Sequence, residues 1–256
     1  MTRTCFFVDD AGEAPHTLRL PAAAVHHLRH VLRAREGDPV EVRNGKGQAW
    51  LAEIVGLSGR DAAVRLRERL AERWESPLEI TLALALGRSD RLEGVIRQAT
   101  ELGVRGVVAF PSARSQYRLD GKRAAARRER WLKIAREALC QCGRTLLPEI
   151  RVFSDWRSCA AEMLTAAGAC DEVLKLVAWE EERERGLLSV WREFPVRGSL
   201  ILAIGPEGGF SGEEVRVFLQ QGFRSVHLGP RTLRFETAAI GMIVACQLLW
   251  GDLGGG

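Results

Sequence analysis

The chain is poor in several residue types, and each shortage narrows what it can be. Its 256 residues include one tyrosine and four lysines, Lys46, Lys122, Lys133 and Lys175, so 33 of its 37 basic residues are arginine. Arginine forks onto phosphate or carboxylate through paired hydrogen bonds; a GC-rich genome produces the same bias, and both explanations can hold together. No apolar run approaches the length of a membrane span. The opening ten residues lack the apolar core of a signal peptide, so the expected location is the cytoplasm. The six cysteines, Cys5, Cys140, Cys142, Cys159, Cys170 and Cys246, have no metal-ligand spacing and read as reduced thiols. No metal site is expected.

Two nucleotide signatures are also missing. No glycine loop ends in Lys-Ser/Thr, and no G-x-G-x-x-G follows a strand. Phosphate-driven nucleotide hydrolysis and dinucleotide binding are therefore disfavoured. A formal net charge of +4 permits a nucleic-acid partner without requiring one. Hydrophobic content of 46% with 27% charged residues is that of a globular protein with a substantial core.

The rhythm of the chain changes once. Residues 1–72 alternate in strand fashion around one helix expected over 21–32. Strands are expected over 38–43, 48–55 and 62–69, with Asn44-Gly45 as a hairpin signal. This pattern resembles a small β-barrel. The polar stretch 70–77, ending in Pro77, places a boundary there, giving domains 1–72 and 73–256.

Beyond it, strands alternate with helices, which implies a mostly parallel α/β sheet. Strands are expected over 78–86, 105–110, 150–153, 173–178, 200–204 and 223–228. A helix capped by Ser89 and Asp90 should run to Leu102 before Gly103. The long helix 121–142 carries Trp131, Ile134, Ala135, Ala138 and Cys142 on one face. Ser211 with Glu214 forms a capping box, and a last helix covers 236–250.

Two loops near the carboxyl end stand out. Ile204-Gly205-Pro206-Glu207-Gly208-Gly209-Phe210 and Leu228-Gly229-Pro230-Arg231-Thr232-Leu233-Arg234-Phe235-Glu236-Thr237 each follow a strand and open a helix. Glycines there let the backbone approach a ligand, and paired strand-end loops build a concave site. A plain turn would explain the first loop alone, and a surface ion-pair loop the second. The basic run Arg114, Arg118, Lys122, Arg123, Arg127, Arg128, Arg130, Lys133 and Arg136 is either a solvated helix face or a track for phosphates. A second basic spot gathers His26, His27, Arg29, His30, Arg33 and Arg35. Cys142, in Gln141-Cys142-Gly143-Arg144, has no base partner in sequence and reads as packing.

On these residues the chain resembles the bacterial 16S rRNA (uracil-N3)-methyltransferases of the SPOUT superfamily. The likeness runs through His27-Leu28-Arg29-His30-Val31-Leu32-Arg33, Gly37-Asp38, Glu75-Ser76-Pro77-Leu78 and Gln98-Ala99-Thr100-Glu101-Leu102-Gly103-Val104. It continues through Gln141-Cys142-Gly143-Arg144, Pro148-Glu149-Ile150 and the two glycine loops. Phe235 stands where that family often has Thr.

The resemblance implies an N-terminal PUA-like β-barrel and a C-terminal SPOUT α/β domain with a deep trefoil knot. It implies S-adenosyl-L-methionine as cofactor, held by Ile204, Gly205, Glu207, Gly208, Gly209, Leu228, Gly229, Leu233 and Thr237. Catalysis would fall to Arg234, Glu236 and Arg231. RNA contact would fall to Arg29, Arg33, Arg114, Arg118, Arg123, Arg127 and Arg144. The implied partners are 16S rRNA, within the small ribosomal subunit, and a second copy of the chain. A SPOUT ribose 2′-O-methyltransferase and a non-catalytic RNA-binding protein are the alternatives.

Overall fold

A computed structural model of the chain describes residues 4–59, 61–71, 74–115, 121–156, 159, 173–194 and 198–254. They divide into two compact units, Met1–Glu75 with Arg136–Leu147, and Ser76–Ala135 with Pro148–Gly256.

The first unit holds β1 (Cys5–Phe7), β2 (Thr17–Arg19), α1 (Ala22–His26), β3 (Pro39–Arg43), β4 (Ala49–Ser58) and β5 (Asp61–Arg69). They form one sheet in the order β1-β3-β4-β5-β2. Only the β1–β3 pair is parallel. The Asn-Gly hairpin forms as the sequence predicts. Asn44 Oδ1 accepts the backbone N–H groups of Lys46 at 2.9 Å and Gln48 at 3.2 Å, and β3 and β4 pair on either side from Arg43↔Ala49. Trp50, Leu28, Val42, Ile54 and Leu66 are among the side chains buried in this unit's core.

The helix expected over 21–32 is not continuous. After α1 the chain makes a π-turn over His27–Val31, closed by Leu32 N–H donating to His27 O at 3.0 Å. A regular helix would put Val31 and Leu32 on the face of buried Leu28. The wider turn rotates them outward instead, and both are exposed.

The second unit holds β6 (Glu79–Ala85), α2 (Ser89–Glu101), β7 (Gly106–Phe110), β8 (Glu149–Val152), β9 (Val173–Ala178), α4 (Leu187–Glu193), β10 (Ser199–Ile204), α5 (Gly212–Gln220), β11 (Arg224–Val226) and α6 (Phe235–Trp250). The long helix α3 (Gly121–Cys142) begins in it, and its last turns belong to the first unit. The six strands pair in parallel throughout, in the order β11-β9-β10-β6-β7-β8. Strands buried on both faces read as continuous apolar runs, as β7 (all five residues buried) and β10 do.

Three local expectations change. The residue capping α2 is Arg88 rather than Ser89 or Asp90. The last strand, Arg224–Val226, is shorter than 223–228, and His227 and Leu228 beyond its end line a pocket. Helix α4 carries no pattern that the sequence reading recognised. The capping box forms as expected, with Glu214 N–H donating to Ser211 Oγ and Ser211 N–H to Glu214 Oε2.

An aromatic group beneath the first glycine loop anchors it. Phe210 stacks on Phe110 with centroids 6.4 Å apart and meets Phe218 at 5.2 Å. On the far side of the unit, buried Gln247 of α6 accepts from Ser76 Oγ and donates to Leu102 O, both at 2.8 Å. Among the described residues no helix is long and apolar enough to cross a membrane. No group of three His, Cys, Asp or Glu there is placed to hold a metal ion.

Candidate active site

The carboxyl ends of β9, β10 and β11 open into one pocket of about 250 Å³. Its lining joins Ile204, Gly205, Pro206, Glu207, Gly208 and Gly209 of the first glycine loop to Leu228, Gly229, Arg231, Thr232 and Leu233 of the second. Crevices outside the carboxyl ends of parallel strands are where open α/β sheets bind ligands. The two loops named from sequence therefore do come together. All the expected cofactor residues line the pocket except Thr237, which is exposed on α6. Of the expected catalytic residues, Arg231 lines it. Arg234 and Glu236 flank lining Phe235 without lining the pocket themselves.

The first loop is a tight turn. Gly209 N–H donates to Pro206 O at 2.9 Å. Gly205 lies so close to its own loop that a Cβ would stand 2.9 Å from the nitrogen of Phe210. Gly209 has φ +68°, and a Cβ there would run into the carboxylate of Glu180. Both positions thus need glycine, for space at the first and for space and backbone conformation at the second. The second loop is braced by His227, whose Nδ1 accepts the Gly229 N–H at 3.1 Å.

A third wall was missed. Ala178, Trp179, Glu180 and Arg183, at and just beyond the end of β9, also line the pocket, as does His227. Glu182 holds this segment in shape. Its carboxylate accepts Ser225 Oγ at 2.5 Å and the N–H groups of Glu184 at 2.9 Å and Arg185 at 3.2 Å. Burial opposes its ionisation, but these donors, with the Arg183 amide, prevail and pull the carboxyl down to about 2. No glycine or periodic signal marks residues 179–183, and only the pairing of β9 beside β10 brings them in.

The arginines expected to face RNA behave differently from one another. Arg29 and Arg33 are exposed on the π-turn and just after it, Arg29 Nη1 donating to Gly59 O. Arg114 is exposed and donates to Gly208 O at 2.9 Å, on the pocket loop. Arg123 is exposed on α3, and Arg127 is half-buried with its guanidinium 5.9 Å from the Trp131 ring centroid. Arg118 lies outside the described residues. Arg144 contradicts its expected role. It is buried, with Nη2 2.9 Å and Nε 3.0 Å from Glu75 Oε2, so its charge is spent inside the first unit.

A fully parallel sheet whose strand-end loops enclose a charged-rimmed, apolar-floored pocket defines an α/β domain built to take a small organic ligand. The RNA methyltransferase domain matches residues 74–248 and the RNA methyltransferase PUA domain residues 20–67. The chain belongs to this RNA methyltransferase family.

Among its relatives is the ribosomal RNA small subunit methyltransferase E of Bacillus subtilis, 33% identical over 94% of both chains. The enzyme of the same name from Neisseria gonorrhoeae, whose crystal structure is bound to S-adenosyl methionine, is 30% identical. It matches 98% of this chain and 99% of its own with a TM-score of 0.85. A Legionella pneumophila structure in complex with the bound cofactor SAM is 32% identical, covers 99% and 100%, and has a TM-score of 0.87.

Proposed function

We propose that this protein is an S-adenosylmethionine-dependent methyltransferase that methylates N3 of a uridine in 16S rRNA of the small ribosomal subunit. The observation that carries the reading is the pocket between the two glycine loops. It occurs in a chain similar end to end to enzymes crystallised with that cofactor.

The residues present fit such a group. Gly205, Gly208 and Gly209 present main chain without side chains along the pocket wall. Ile204, Leu228 and Leu233 offer apolar surface for an adenine and ribose, and Glu180 and Glu207 add acidic residues to the lining. When bound, the cofactor supplies an electrophilic methyl group on a sulfonium.

The remaining work falls to this chain. Uracil N3 is an imide nitrogen that must lose a proton, leaving negative charge on O2 and O4. Arg231 or Arg234 would stabilise that charge as an oxyanion donor does. Glu236, in the first turn of α6, would orient an arginine or take the proton. N3 lies on the Watson–Crick edge, so the base must be unpaired or extruded.

Domain 1–72 would hold the surrounding RNA through Arg29 and Arg33, and domain 73–256 would add Arg114, Arg118, Arg123 and Arg127. The expected trefoil knot would thread the chain through the loops that line the pocket. A homodimer is supported by the exposed and half-exposed stripe Gly241, Val244 and Leu248 on α6. Ribosomal RNA as substrate supports a cytoplasmic location.

N3-methyluracil cannot pair, so it halts reverse transcription. Small subunits incubated with the protein and cofactor should show one new stop, with N3-methyluridine as the product nucleoside by mass. No stop, or a ribose-methylated product, would remove the uracil-N3 assignment.

A further inference from the structure

The first turn of α2 brings one more charge close to the two glycine loops. Arg91 Nη1 lies 3.8 Å from Glu207 Oε1 and 3.7 Å from Glu236 Oε2. Glu207 belongs to the first glycine loop and lines the pocket, and Glu236 opens α6 directly after the second loop. Both separations are longer than a hydrogen bond, so the contacts are ionic.

The two carboxylates are held differently. Glu207 Oε1 also accepts the Arg88 N–H at 3.3 Å, and its carboxylate fills the space where a Cβ on Gly87 would stand, 2.7 Å from Oε2. Glu236 Oε2 is buried and accepts no hydrogen bond, which leaves the Arg91 guanidinium as its ionic partner. Asp90, the residue before Arg91 on α2, is paired with Arg88 at 3.6 Å. One guanidinium thus serves a carboxylate from each side of the pocket, and like charges brought together without it would repel.

We infer that Arg91 is a positioning residue for methyl transfer. By neutralising Glu207 and Glu236 together it sets the separation of the two glycine loops, and through it the shape of the cofactor pocket. This rests on the S-adenosylmethionine reading of that pocket. Arg91 does not line the pocket and acts through the two glutamates. Its signal was absent from the sequence because residues 91, 207 and 236 meet only once β6 pairs with β10.

The test is calorimetric titration of the full chain with S-adenosylmethionine, with thermal melting alongside. Arg91→Ala should weaken binding about tenfold or more, and Arg91→Lys by no more than about threefold, since the lysine retains the charge. The decisive variant is Arg91→Ala combined with Glu236→Gln. Removing one of the two repelling carboxylates should restore most of the lost affinity, an outcome that loss of packing would not produce. Should Arg91→Ala melt below the assay temperature, Arg91→Gln carries the same expectation, with or without Glu236→Gln.

Wild-type affinity in the Arg91→Ala or Arg91→Gln protein overturns the inference, as does a double variant no tighter than its single parent. A wild-type protein that binds no cofactor defeats the functional reading itself, and this inference with it.

Discussion

Buried Arg144 and half-buried Glu75 form an ion pair. Two guanidinium nitrogens of Arg144 meet Glu75 Oε2 at 2.9 and 3.0 Å, while Glu75 Oε1 accepts the N–H groups of Thr145 at 2.7 Å and Leu146 at 2.9 Å. Removing Arg144 takes away two charge-assisted hydrogen bonds and leaves Glu75 with its backbone donors. Arg144→Ala is expected to destabilise the first unit by about 1.5–3 kcal/mol. Denaturant unfolding followed by circular dichroism measures this. A loss of RNA affinity with unchanged unfolding would restore the surface role that the sequence suggested.

Gly209→Ala introduces a methyl group into the Glu180 carboxylate at φ +68°. Strain of this kind costs on the order of 1–3 kcal/mol. Because Gly209 and Glu180 both line the pocket, the cost should appear chiefly as lost cofactor affinity, about tenfold or more. Titration with S-adenosylmethionine and a melting curve separate the two effects. An unchanged dissociation constant would remove the first loop from the binding site.

The two arginines of the second loop should divide by role. Arg231 lines the pocket and Arg234 does not. Arg231→Ala should raise the dissociation constant for cofactor, whereas Arg234→Ala should lower kcat by about a hundredfold with little change in cofactor binding. Single-turnover kinetics beside calorimetry decides it. Equal loss of affinity in both variants would place Arg234 in cofactor binding as well.

Glu182 supplies a pH signature. Its folded-state carboxyl lies at about 2 against an ordinary 4.5, so it stabilises the fold fully above the ordinary value. That contribution is lost as pH falls through the interval down to about 2. Melting temperatures of wild type and Glu182→Gln should differ near neutrality and converge across that interval. A gap independent of pH would show that the Ser225 and backbone hydrogen bonds do not favour the ionised form.

Much of the fold was legible because its signals are local. Asn44-Gly45 names a hairpin through backbone conformation alone, and Ser211 with Glu214 names a helix start through reciprocal hydrogen bonds. The apolar face of α3 follows from the helical repeat, and Trp131, Ile134, Ala135 and Ala138 are all buried. The strands of three residues, β1, β2 and β11, are too short for periodicity to delimit. The π-turn after α1 depends on a shift in backbone hydrogen bonding that no residue type demands.

The candidate site was half legible for the same reason. Both glycine loops announce themselves, since a backbone that must crowd a ligand or its own chain requires glycine at particular positions. Glu180, Arg183, His227 and Arg91 carry no such mark. Arg144 misled, because a buried arginine and a phosphate-gripping one look identical until the partner is known.

From its amino acids alone the chain determined the longer strands and helices in their order, the two glycine bends and a family likeness, all properties of neighbours along the backbone. The tertiary structure decided which strand ends share a pocket and which charges meet there. In a parallel sheet the chain returns through a crossover before it pairs, so β9 and β6 flank β10 by long-range packing, and the side chains they deliver are partners in space only.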